Sequence, residues 1–265
     1  MTILCESIDD TRVAPRRVDT NERLKWRRDA GRRRPNSAWM TATRTRLRTW
    51  LAVLTLTALL APGFTRAAPV ESIVLVLGDS LSAGHGLPTG AGWVDLLARK
   101  MAQDAPGFKV VNASISGETT FGGVSRLPIL LETYRPAVVV VELGANDGLR
   151  GTDLALTRSN LDRIVARSVA AGARVLVIGM RIPPNYGPRY TQDFFSLFGE
   201  TAHRHGASLV PFLLDGLADR REWFQEDGLH PVAAAQPRIL DTVWPALAPL
   251  LKTRPSRTGR RTPAG

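Results

Sequence analysis

Cysteine is all but absent from this 265-residue chain: the single one, Cys5, lies in an arginine-rich leader. A disulfide framework is excluded, and so is a thiol nucleophile anywhere beyond that leader. Histidine is scarce too, with four in the whole chain. Two of them, His203 and His205, stand two apart near the end of a helical stretch that stops at Gly206. They diverge around the helix and make no metal pair, and a helix C-terminus favours cationic side chains in any case. Missing as well is any apolar run of the roughly 20 residues that span a bilayer. Between Gly78 and Gly84 there is neither G-x-G-x-x-G nor a terminal Gly-Lys-Ser/Thr, so neither a dinucleotide site nor a P-loop is present. No cofactor and no metal are expected.

The net charge of +11 also conceals an absence. Residues 1–68 hold 14 Lys/Arg against 6 Asp/Glu, and residues 252–265 hold 5 Lys/Arg and no acid. The stretch 69–251 is left slightly acidic, with 16 basic and 18 acidic side chains, and a nucleic-acid partner is not expected.

The basic ends have their own explanations. Arg44, Arg46 and Arg48 precede the apolar stretch Trp50 to Leu60, which is followed by Pro62-Gly63 and the small-residue site Thr65-Arg66-Ala67. That order of charged, apolar and cleavable segments reads as a secretory signal over residues 40–68, cut after Ala67 or Ala68. The expected destination is the periplasm or the medium, without stable membrane insertion; retention of an uncleaved anchor is the alternative. Residues 1–39 are read as a start assigned upstream of Met40 or as a disordered basic leader, and 252–265 as a disordered basic tail.

What remains, residues 69–251, alternates strand-like with helical segments. The strands are expected at Ile73–Leu77, Lys109–Ala113, Val138–Leu143, Arg174–Met180 and Ser208–Phe212. Amphipathic segments around 93–101, 121–134, 154–171 and 194–205 separate them, and a final helix is expected over 233–251. Five strands joined by helical crossovers imply an α/β fold: a three-layer α/β/α sandwich on a five-stranded parallel sheet, of flavodoxin-like order.

Chemistry-bearing residues sit where those strands end. Ile73 to Leu77 runs into Gly78-Asp79-Ser80-Leu81-Ser82, which places a serine at the carboxyl rim of the sheet, where open parallel sheets bind ligands. The second strand runs into Asn112-Ala113-Ser114-Ile115-Ser116-Gly117, and the third, Val138 to Leu143, into Gly144-Ala145-Asn146-Asp147-Gly148. Asp227-Gly228-Leu229-His230-Pro231 sets a carboxylate and an imidazole three residues apart. A serine hydroxyl needs a base within hydrogen-bond reach, and histidine is the side chain that ordinarily titrates near neutrality. Ser80 is thus the candidate nucleophile, His230 the base and Asp227 its orienter. The backbone N–H groups of Ser80 and Gly117 and the side-chain amide of Asn146 would stabilise an oxyanion.

Each residue also has a plain structural role to set against this. Asp227 is placed to cap a helix, Gly117 to turn the chain, Asn146 and Asp147 to form a turn between glycines, and Asp79 to cap a helix after Ser80. Asp79 and Asp147 are left outside the catalytic set. His85 belongs to the loop after the nucleophile, with a place at the cleft mouth as the lesser alternative. G-x-S-x-G is not met, since Ser82 stands two after Ser80, which argues against the α/β-hydrolase elbow.

In order and each in its motif, Ser80, Gly117, Asn146 and His230 resemble the SGNH or GDSL family of serine esterases and lipases. Within it they resemble the periplasmic thioesterase I, lysophospholipase and arylesterase proteins of Gram-negative bacteria, and the likeness runs from about Ser72 to Leu251. The resemblance implies an SGNH-fold hydrolase of acyl esters, thioesters or lysophospholipids; a monomer without cofactor is expected. It also implies that two loops line an acyl pocket, one carrying Leu149 and the other Pro184 and Tyr186. A carbohydrate O-acetyl esterase on the same fold, or a noncatalytic lipid- or carbohydrate-binding module, are the alternatives.

Overall fold

The computed structural model describes residues 71–252. The leader, the expected signal segment and the tail beyond Lys252 lie outside the described residues.

Five strands form one parallel sheet: β1 (Ser72–Gly78), β2 (Phe108–Asn112), β3 (Val138–Glu142), β4 (Arg174–Ile178) and β5 (Ser208–Val210), in the order β2-β1-β3-β4-β5. The two inner strands read as unbroken apolar runs because both their faces are covered. Val74 to Leu77 and Val138 to Val141 are all 0 % exposed. β1 and β3 are in register from Val74 opposite Val138 to Gly78 opposite Glu142.

Helices complete the two outer layers. A short α1 (Ser80–Ala83) follows β1 directly, and α2 (Trp93–Asp104) returns the chain to β2 and packs beside the last helix, α7 (Gln236–Leu247). Next come α3 (Thr120–Tyr134), the short α4 (Ala145–Leu149), α5 (Leu154–Ala170) and α6 (Pro188–His205), with α5 packed between α3 and α6. The apolar stripes of these helices enter the core as Trp93 and Leu97, Val124 and Leu127, Leu161 and Ile164, and Phe194 and Phe198.

The chain steps from β1 outward to β2, then crosses back over β1 to β3. Strand order reverses between β1 and β3, which opens a crevice at their carboxyl ends. Ser80 and Asn146 stand on its two sides.

Several boundaries differ from those read in the sequence. α6 begins at Pro188, six residues before the expected start at Phe194, because proline is well suited to the first helical position. β5 stops at Val210, since Pro211 has no N–H to donate to the sheet. The final helix is α only over Gln236–Leu247, with 3₁₀ turns at Ala233–Ala235 and Ala248–Leu251.

Candidate active site

Ser80 is the first residue of α1, and its placement begins with the residues on either side. The Asp79 carboxyl caps the helix by accepting from Leu81 N–H at 3.0 Å. Gly78 lets the turn close: a Cβ there would lie 2.7 Å from the Ser82 Cβ and 2.8 Å from the Ser114 hydroxyl. The helix can therefore fold tightly back over the end of β1.

Asp227 and His230 come from a loop tied off at its base. An antiparallel bridge joins Phe224 to Pro231, Gln225 N–H donates to His230 O at 2.8 Å, and Val232 N–H to Trp223 O at 2.9 Å. The Arg221 guanidinium binds the carbonyls of Phe224, Gln225 and Glu226 at 2.9, 2.5 and 2.8 Å. The Gln225 amide donates to His85 O at 2.9 Å and to Pro231 O at 3.2 Å, stitching this loop to the one after the nucleophile. Against the His230 ring lies that of His85, with centroids 4.5 Å apart.

Within this frame the Asp227 Oδ1 accepts from the N–H groups of Leu229 and His230 at 2.8 and 3.0 Å. Its Oδ2 is 2.6 Å from His230 Nδ1, and His230 Nε2 is 2.9 Å from Ser80 Oγ. Three acceptor contacts, the His230 N–H foremost, hold the Asp227 carboxyl below the ordinary carboxylate range. An ionised Asp227 accepts a hydrogen bond from Nδ1–H, keeping that proton on the ring and leaving Nε2 as the acceptor facing the serine, which is the tautomer a general base requires.

The three expected oxyanion donors border the same space. Gly117 has φ of +80°, a conformation other residues adopt only with strain, and Arg150 donates to its carbonyl at 3.1 Å, fixing the peptide. The next residue, Glu118, accepts from Arg126 Nε at 2.7 Å and anchors that turn. Among the described residues no protein group takes the N–H of Ser80 or of Gly117. The Asn146 amide donates to Glu118 O at 2.9 Å and, at a longer 3.3 Å, to Asp79 Oδ2.

A cleft of about 790 Å³ surrounds these groups, and Ser80, Gly117, Asn146 and His230 all line it. Leu149 and Pro184 stand on its wall with the apolar side chains of Ile182, Phe195 and Phe212, and the Arg181 guanidinium, also on the wall, lies over the Phe195 and Phe212 rings at 4.4 and 5.3 Å. Tyr186 is not on the wall; its hydroxyl donates to Leu149 O at 2.6 Å and bolts the two wall loops together from behind. His85 does line the cleft. Asp227 is not among the lining residues and sits behind the imidazole.

Asp147, read as a turn former, has a different task. It is 3 % exposed and takes the N–H and hydroxyl of Thr120 at 2.9 and 2.6 Å, joining α4 to the start of α3. Four contributors escaped the sequence reading: Arg221, Gln225, Arg150 and Glu142. The first three act through backbone carbonyls, which leave no spacing signature. Glu142 had one signal, a carboxylate ending an otherwise wholly apolar strand.

The esterase TesA of Pseudomonas aeruginosa is 49 % identical over 187 residues, covering 71 % of this chain and 92 % of that protein. Thioesterase 1/protease 1/lysophospholipase L1 of Escherichia coli K12 is 41 % identical over 186 residues, covering 70 % and 88 %. A crystal structure of TesA superposes with a TM-score of 0.66 at 49 % identity, over 68 % of this chain and 99 % of that one. Residues 76–236 match the GDSL-like lipase/acylhydrolase family, and the chain belongs to that family as an ester-bond hydrolase.

Proposed function

We propose that this hydrolase opens carboxylic ester and thioester bonds of acyl substrates through an acyl-Ser80 intermediate. The observation that carries the reading is the unbroken relay from Asp227 to His230 to Ser80, at 2.6 and 2.9 Å. Ser80 Oγ attacks the acyl carbonyl and passes its proton to His230 Nε2. The oxyanion so formed is met by the N–H groups of Ser80 and Gly117 and the amide of Asn146. Collapse expels the alcohol or thiol, which leaves with the proton from His230. Water then repeats the sequence on the acyl-serine and releases the acid.

The apolar wall of Leu149, Ile182, Pro184, Phe195 and Phe212 favours medium to long acyl groups on thioesters, aryl esters or lysophospholipids. A carbohydrate O-acetyl esterase would be better served by a polar, shallow cleft, and a binding module has no need of the relay. The enzyme acts as a monomer in the periplasm or medium after cleavage at Ala67 or Ala68. No helix among the described residues is long and apolar enough to cross a membrane.

A series of p-nitrophenyl esters from acetyl to octanoyl, together with an acyl-CoA, tests the proposal on wild type and Ser80→Ala, with and without chelator. Turnover lost in the variant, indifferent to chelator and greater on octanoyl than on acetyl esters is expected. Turnover surviving Ser80→Ala would refute the mechanism, and a preference for acetyl would refute the substrate class.

A further inference from the structure

Beneath the candidate oxyanion site lies a pair of carboxyls to which the mechanism above gives no role. Glu142 ends β3 opposite Gly78, is 0 % exposed, and turns its side chain under the nucleophile. Its Oε2 accepts from the Ser82 hydroxyl at 2.7 Å and from Asp79 N–H at 3.3 Å, whereas its Oε1 has no partner. Asp79, 1 % exposed, caps α1 with Oδ1 and faces the Asn146 amide with Oδ2.

Two ionised carboxylates in so dry a place repel each other, and one proton shared between them removes the conflict. That proton would also turn the orphaned Oε1 into a donor. We propose that Glu142 is a positioning residue, held as the neutral acid: it accepts from Ser82 and from the Asp79 backbone while donating to the Asp79 carboxylate. It thereby fixes the peptide that enters Ser80 and removes one negative charge from beneath the developing oxyanion.

Asn146 feels the same charge. Its amide hydrogen nearest Asp79 is held at a long 3.3 Å. An Asp79 carboxylate already engaged by an acid competes weakly for that hydrogen, which is then free to turn to the oxyanion. A dicarboxylate would hold the amide back and oppose the same negative charge. Burial is the main reason that the carboxyls of Glu142 and Asp79 both bind protons more tightly than usual; the Asp79 charge raises Glu142 further, whereas the hydrogen bond with Glu142 draws Asp79 back down. The other ionisable groups felt at Asp79 are His230, which favours its charge, and Asp147, which opposes it.

The proposal rests on the acyl-Ser80 reading, so Ser80→Ala is included as a separate arm. Steady-state kcat and KM on p-nitrophenyl butyrate would be measured across pH for wild type, Glu142→Ala and Glu142→Gln, with thermal melts to check folding. Glu142→Ala is expected to lose at least about ten-fold in kcat with little change in KM. Glu142→Gln, whose amide donates to Asp79 and whose carbonyl accepts from Ser82, recovers most of that loss. It also lacks the alkaline fall in kcat that wild type shows when Glu142 gives up its proton. Should the alanine variant not fold, the comparison of wild type with Glu142→Gln decides. Identical alkaline limbs in those two, or a folded glutamine variant no better than alanine, would overturn the proposal. Turnover persisting in Ser80→Ala would instead overturn the reading beneath it.

Discussion

Replacing Asp227 by asparagine changes one atom of the relay, and its consequence can be worked from the hydrogen bonds. The carboxyl has two sides: Oδ1 receives the N–H groups of Leu229 and His230, and Oδ2 receives the ring at 2.6 Å. An asparagine must offer its carbonyl to one side and its NH₂ to the other. Two backbone donors outbid one imidazole, so the carbonyl turns to the backbone and the NH₂ faces Nδ1. Nδ1 then becomes the acceptor, the proton moves to Nε2, and the ring can no longer take the proton of Ser80 at 2.9 Å. A tautomer locked this way costs on the order of 10⁴-fold in kcat. That loss is about 5 kcal/mol of transition-state stabilisation. Loss of the negative charge alone contributes less, since the Asp227 side chain is 40 % exposed and screened by solvent. Asp227→Ala leaves Nδ1 to water with both tautomers open, and should therefore turn over roughly ten times faster than Asp227→Asn. Initial rates on p-nitrophenyl octanoate, with thermal melts as a folding control, measure both variants. An asparagine variant equal to or better than alanine, or within about ten-fold of wild type, would refute the tautomer argument.

Three further expectations follow from other parts of the molecule. Tyr186→Phe removes the bond that ties the two wall loops, worth about 1 kcal/mol net, so KM for octanoyl esters should rise several-fold more than KM for acetyl esters. An equal response at both chain lengths would contradict that role. Gly78→Ala drives a methyl into Ser82 and Ser114, and chemical denaturation should show a loss of about 1–3 kcal/mol, with kcat reduced; an unchanged midpoint would speak against the close packing described. The buried pair also gives the fold a pH dependence. Burial raises the Asp79 carboxyl from 3.8 to about 6 and lifts Glu142 well above 4.5. A carboxyl raised on folding stabilises the protein fully below its unfolded value, and that contribution is lost as pH climbs through the folded one. Asp79 is common to wild type and Glu142→Gln, so calorimetry should find both melting temperatures falling between pH 3.8 and about 6, and that of wild type falling relative to Glu142→Gln as pH rises above 4.5. A constant difference would refute the assignment.

Much of this arrangement was legible in the sequence because it depends on period and on strand ends. Val138 to Val141 can only be a strand covered on both faces, and Gly78, Gly117 and Asn146 mark where three strands deliver the chain to one rim. Less legible was everything governed by the third dimension. Pro188 reads as loop in a proline-rich stretch, yet it opens α6 because the first helical position needs no N–H. The family resemblance implies Tyr186 on the cleft wall, yet its hydroxyl is drawn back to Leu149 O. Glu142 reads as the polar end of a strand, and only the register that sets it opposite Gly78 reveals the carboxyl pair under Ser80. Arg221 carries no motif at all, since it recognises three carbonyls that any residues could supply.

The central claim is that Ser80 carries the acyl group, and intact-mass spectrometry with peptide mapping tests it most directly. The enzyme would be quenched during turnover of a p-nitrophenyl ester and, in parallel, treated with an alkylphosphonate ester. The account predicts one acyl or phosphonyl group per molecule, on the peptide bearing Ser80, with activity lost in proportion to phosphonylation and no adduct in Ser80→Ala. Adducts on another residue, or an inactivated enzyme with Ser80 unmodified, would contradict it.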